Sequence, residues 1–182
     1  IAKKLNEKGK LTKNAIAEGI INNVRRTIIR DQLTDPRFYE KMSHLLDDLI
    51  RQSRADAAAY EEFLKRAESL VQQLATRQTD DTVPAQLHGK REATVIYNNL
   101  PRILAAGCPE PVGVAEQHRD YDDRRLRLAL EIDVVMHEQA PAGWRGDQAR
   151  EAQVVNALFP LLDCNREATR ALFELVKNQP GY

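Results

Sequence analysis

Aromatic side chains are scarce in this chain, at 5% of residues: one Trp, five Tyr and four Phe. That scarcity disfavours a β-sandwich and favours helices packed through aliphatic side chains. Cysteine is nearly absent. Cys108 and Cys164 share no C-x-x-C spacing, and no His stands at metal-ligand spacing from either. This argues against a zinc site and fits a reduced, cytoplasmic setting. Net charge is also missing, with 27 Lys and Arg against 27 Asp and Glu. No apolar run approaches the roughly 20 residues a membrane span needs. No signal-peptide pattern opens the chain, and it does not begin with Met, which reads as a piece of something longer. Strand-type alternation, repeats and low-complexity tracts are lacking too.

What is present is a large aliphatic fraction in a chain of moderate size. Hydrophobic residues make up 42% of 182 positions. A chain this long buries roughly 70% of its unfolded surface, so a core forms without disulfides or metal. Charge is unevenly spread. Residues 1–33 hold eight Lys and Arg against three Asp and Glu; 34–76 hold six against eight, 77–120 five against six, and 121–182 eight against ten. Only the first segment offers the electrostatic footprint that non-specific DNA binding requires. Within it, Lys3, Lys4, Lys8, Lys10 and Lys13 read as a solvated end.

Spacings of three and four residues locate the helices. Ala17, Ile21, Val24 and Ile28 define one at about 12–32, with Thr12 as its candidate cap. Asp35 and Pro36 open the next, since a first-turn proline gives up no helical hydrogen bond. Phe38, Met42, Leu45, Leu46, Leu49 and Ile50 form its apolar face, and Tyr60, Phe63, Leu64, Ala67, Leu70, Val71 and Leu74 continue in phase. The 36–75 stretch reads as one long helix or, by preference, as a hairpin broken near 52–54, where Ser53 to Asp56 resembles a cap. Residues 76–89 read as a linker. A short helix is expected from Lys90 to Leu100, ended or restarted by Pro101, and a loop around Gly107, Pro109, Pro111 and Gly113. Asp120–Gln139 carries apolar stripes on two faces, as the central helix of its lobe would. Asp147 caps a further helix with the stripe Ala152, Val155, Leu158, Phe159 and Leu162, which Pro160 kinks or ends. Asn165 caps the last helix, with Leu172, Leu175 and Val176 inward. The expected fold is all-α, an irregular helical bundle of about six to seven helices. Its organisation is 1–76, a linker at 77–89, and a C-terminal lobe at 90–182.

Catalytic patterns are hard to find. There is no G-x-x-x-x-G-K-[ST], no G-x-S-x-G and no H-E-x-x-H. His44, His88, His118 and His137 are scattered. His44 beside Asp47 and Asp48 reads as a solvated face rather than a metal site. Cys164 beside Asp163 reads as a structural thiol rather than a nucleophile. Arg124, Arg125 and Arg127 sit among Asp120, Asp122 and Asp123, so self-neutralisation is preferred over DNA contact. For Arg25 and Arg26 two readings stand: a solvated flank, or contact with phosphate or an acidic partner. Trp144, in the turn Pro141 to Gly146, reads as a packing plug, and Arg145 as a cap for the carbonyls of the preceding helix or a ligand for a partner carboxylate.

Three ordered stretches carry a family resemblance. The first is Ala15-Ile16-Ala17-Glu18 leading into Ile21-Asn22-Asn23-Val24-Arg25-Arg26-Thr27-Ile28-Ile29. The second is Pro36-Arg37-Phe38-Tyr39-Glu40-Lys41-Met42-Ser43, followed by Leu45-Leu46-Asp47-Asp48-Leu49-Ile50. The third is Gly143-Trp144-Arg145-Gly146, with Leu172-Phe173-Glu174-Leu175-Val176-Lys177 near the end. From about residue 12 onward the chain resembles the C-terminal region of the R (motor and endonuclease) subunit of type I restriction enzymes. Two features depart from that pattern: a longer, more Pro-rich 101–123 stretch, and Pro160 where the pattern runs as helix. The resemblance implies a non-catalytic helical region that docks the motor onto the methyltransferase and specificity subunits. It implies ATP and magnesium for the parent subunit's other domains and none for this piece, with DNA reached through the parent complex. The runner-up is a helical element lining the DNA path. Expected partner or DNA contacts are Asn22, Arg25, Arg26, Tyr39, Trp144 and Arg145.

Overall fold

A computed structural model describes residues 13–55, 60–76, 83–107 and 117–182. Thr12 as a cap, Cys108, and the prolines and glycine at 109, 111 and 113 lie outside the described residues, as do 77–82 of the expected linker and the basic positions before Lys13. Every regular element described is helical, and none is a strand. The chain divides into two units: 1–32 with 36–81, and 33–35 with 82–182.

The first unit holds three helices: α1 (Lys13–Asp31), α2 (Pro36–Ala55) and α3 (Tyr60–Thr76). Each packs on the other two. Their apolar stripes converge on one core, in which Val24 and Ile28 of α1 meet Met42, Leu46 and Leu49 of α2 and Phe63, Ala67 and Leu70 of α3. Helix α2 begins at Pro36, as the Asp-Pro pair predicts, but it runs through 52–54 without the expected break. The chain direction reverses after Ala55. Only 56–59 separate α2 from α3, and five Cα steps reach at most about 18 Å. That cannot return along a helix about 30 Å long. Since α2 and α3 lie side by side, they run antiparallel, and the hairpin reading holds over the single long helix.

The second unit holds α4 (Arg91–Gly107), α5 (Gln117–Gln139), α6 (Gln148–Leu158) and α7 (Arg166–Lys177), with short 3-10 turns at Ala85–Leu87 and Phe159–Leu162. Helix α4 does not stop at Pro101; it continues to Gly107. Leu100 and Ile103, on either side of the proline, are both buried in the core. Packing of both halves outweighs the hydrogen bond that Pro101 cannot make. Helix α4 packs against both α5 and α7 and buries Ala93, Val95, Ile96, Tyr97, Asn99, Leu100 and Ile103. It is more enclosed than α5, whose two apolar stripes suggest the central place. In α5 the buried stripe is Ala129, Ile132, Asp133 and Met136, while Val134 is 48% exposed.

Caps fall where the short polar residues predict. Asp147 accepts from the backbone N–H of Ala149 and Arg150 at 3.0 and 3.2 Å. Asn165 accepts from Glu167 and Ala168 at 3.0 and 3.1 Å. Pro160 does end α6, giving way to the 3-10 turn. The inward stripe there is Val154, Leu158 and Leu162; Ala152 is exposed. Asp163 and Cys164 follow in the left-handed region, with φ of 53° and 58°.

Candidate functional site

The six residues expected to make contacts separate into two groups. Asn22, Arg25 and Arg26 all lie exposed on α1. Their spacings put them on one face, opposite buried Val24 and Ile28. Ile29 falls on the same face and is 60% exposed. Neither arginine has an ion-pair partner among the described residues. Arg30, just beyond, is committed: its Nε and Nη2 donate to the Asp31 carboxylate at 2.7 and 2.9 Å. Asp31 holds that guanidinium above its ordinary pKa, by hydrogen bond first and charge second.

The other three are structural. Tyr39 is 2% exposed and meets Phe38 edge to face with centroids 5.0 Å apart. Its ring belongs to the first core and is not presented outward. Trp144 is also 2% exposed, packed at 5.8 Å on Phe173. It is the plug its turn position predicts, although its indole N–H is buried without a partner. That orphan donor is the cost of wedging an indole between helices for its surface alone.

Arg145 is a cap, but for the last helix rather than the preceding one. Its Nε donates to Lys177 O at 2.8 Å, while Nη1 and Nη2 donate to the carbonyls of Tyr182 and Gln179. The guanidinium also lies 4.7 Å from the Trp144 ring centroid. One fork therefore satisfies the last carbonyl of α7 and ties it to two carbonyls of the segment that follows. A short loop brings it there because Gly143 and Gly146 adopt φ of 64° and 82°, which glycine accepts without strain. Around this clamp, Glu151 accepts from Gly146 N and Lys177 Nζ, each at 2.8 Å. The Lys177 contact first, and the Gly146 amide second, hold its carboxyl below the usual carboxylate range.

Several anchors escaped the sequence reading. Asn99, 3% exposed, donates to Asp35 Oδ1 at 2.7 Å and to Val95 O at 2.9 Å. Gln179, 2% exposed, donates to the carbonyl of Thr34. These two amides hold the segment 33–35 within the second unit. Tyr182 donates to Asp133 Oδ1 at 2.6 Å, and the His137 ring stands edge-on to it at 5.1 Å. Burial, then the Asp133 contact, push the Tyr182 phenol well above its ordinary pKa. No spacing rule in the sequence pairs residues 49 or 145 positions apart, so these contacts become visible only in the fold.

The basic cluster of α5 is only partly neutralised by its own aspartates. Arg125 pairs with Asp122 at 3.3 Å and stacks 3.7 Å over the Tyr97 ring. Arg124 reaches Asp163 at 3.2 Å, a partner far along the chain rather than one of the neighbouring aspartates. His44 is exposed, and Asp48 beside it is taken by Arg51 at 2.6 Å. Among the described residues no His, Cys, Asp and Glu side chains group as metal ligands, and no helix is long and apolar enough to cross a membrane. Among the described residues, the outward face of α1 combines two arginines without an ion-pair partner and an exposed isoleucine. No family model, curated protein or solved structure matches this chain.

Proposed function

We propose that this chain is the non-catalytic C-terminal helical domain of a type I restriction–modification R subunit, and that it docks the ATP-dependent DNA translocase and endonuclease onto the methyltransferase core. Two kinds of support meet here. One is the ordered set of motifs at 15–29, 36–50, 143–146 and 172–177. The other, on which the reading mainly rests, is the α1 face: Asn22, Arg25, Arg26 and Ile29 stand exposed together, whereas Arg145, Arg124 and Arg125 each have a partner in the chain. A rigid helical scaffold with polar groups around an exposed apolar side chain is suited to protein recognition. In this proposal ATP and magnesium belong to the parent subunit's motor and nuclease domains, and the partners are the methyltransferase and specificity subunits.

Co-purification tests it. The folded chain, mixed with the methyltransferase subunit, is expected to elute as a complex. Separate elution, with helical circular dichroism intact, overturns the reading.

A second reading is favoured by one observation, the surplus of Lys and Arg in residues 1–33. There the chain lines the path of translocated duplex, with Lys13, Arg25 and Arg26 on phosphates. It expects binding to random duplex that falls steeply with salt.

A further inference from the structure

We propose that the outward face of α1 takes an acidic amphipathic helix of a protein partner, with carboxylates seated on Arg25 and Arg26 around one apolar residue packed on Ile29. This deepens the docking reading and rests on it only for the identity of the protein that supplies the helix. The chemistry follows from the face itself. Positions 18, 22, 25, 26 and 29 recur at helical spacing, and Glu18, Asn22, Arg25, Arg26 and Ile29 are all exposed. Side chains three or four apart on a helix lie about 5–6 Å from one another at Cβ. The two guanidiniums and Ile29 therefore form one contiguous patch little more than one turn long.

Four occupants compete for that patch, and charge and polarity separate them. A two-fold pair of copies would bring arginine against arginine, which like-charge repulsion opposes. The segment 1–12 is itself basic, with Lys3, Lys4, Lys8 and Lys10 against Glu7, so it does not neutralise the face. A phosphate backbone would satisfy the arginines, but it gives no return for Ile29, which is 60% exposed beside them. An acidic helix with a central apolar residue answers both parts: bidentate carboxylate pairing for the guanidiniums and burial for the isoleucine.

The whole chain is titrated into a fluorescein-labelled helical peptide carrying one Leu with Glu three and four positions to either side, and separately into a random duplex. Fluorescence anisotropy is read at low and at physiological salt. The peptide is expected to bind, more weakly as salt rises. Replacing both arginines (Arg25→Ala with Arg26→Ala) is expected to weaken peptide binding by about tenfold or more. Ile29→Ala is expected to weaken it by about fivefold, with circular dichroism unchanged in each variant. No peptide binding at low salt overturns the proposal. So does duplex binding that the arginine variants abolish and Ile29→Ala leaves intact, because that pattern assigns the face to phosphate. The methyltransferase subunit provides a separate arm. If it binds and none of these variants matters, the face proposal fails and the docking reading stands. If it does not bind while the peptide behaves as expected, the docking reading fails and the face proposal stands.

Discussion

Arg145 is the residue on which the end of the second unit depends most. Its fork meets the carbonyls of Lys177, Gln179 and Tyr182. Arg145→Ala is expected to lower unfolding stability in urea by about 1–3 kcal/mol. Arg145→Lys is expected to recover little, since one ammonium does not reproduce a planar fork. Cys164 presents the opposite case. Its φ of 58° places a side chain in a region that costs roughly 1–2 kcal/mol for a residue with a Cβ. Cys164→Gly relieves this strain, and thermal unfolding is expected to shift upward. Glu151 sets a pH dependence. Its folded-state pKa is lowered by Lys177 and the Gly146 amide, so its contribution is present above the unfolded carboxyl value of about 4.3. That contribution is lost as pH falls through the lowered folded value. Wild type is expected to be more stable than Glu151→Gln at neutral pH, with the gap closing on acidification. A gap independent of pH would contradict the ion-pair assignment.

At the scale of elements, the sequence was most legible where a local rule acts alone. The caps Asp147 and Asn165, the proline start of α2 and the proline end of α6 all depend on neighbours within four residues, and each is found as expected. Legibility failed where tertiary packing overrides the local rule. Pro101 should stop α4, yet the buried pair Leu100 and Ile103 carries the helix across it. A mid-helix proline costs about 3 kcal/mol relative to alanine, partly offset by the flexibility alanine adds to the unfolded chain. Pro101→Ala is therefore expected to stabilise the protein by about 2 kcal/mol in urea unfolding. The hairpin was foreseen but its break was placed too early, because residues 52–54 are compatible with both a cap and a helix. Trp144 was readable as a plug. Tyr39 was not, because a tyrosine one residue after Phe38 looks the same whether its ring faces the core or a partner.

For the molecule as a whole, the docking proposal assigns recognition to the surface rather than the interior. Each unit closes over its own aliphatic core. Arg30, Arg124, Arg125 and Arg145 are engaged within the fold, whereas Arg25 and Arg26 share an outward helix face with an exposed isoleucine. The sequence identified the arginines but left their role open, because a basic pair on a helix looks alike whether solvated or in contact. What distinguishes them is the neighbouring Ile29, whose exposure only the fold reveals. Calorimetric titration of the folded chain into purified methyltransferase subunit puts the docking proposal to its most direct trial. Saturable binding that weakens in the Arg25→Ala, Arg26→Ala double variant is the predicted result. An absence of binding by a chain that retains its helical spectrum would contradict it.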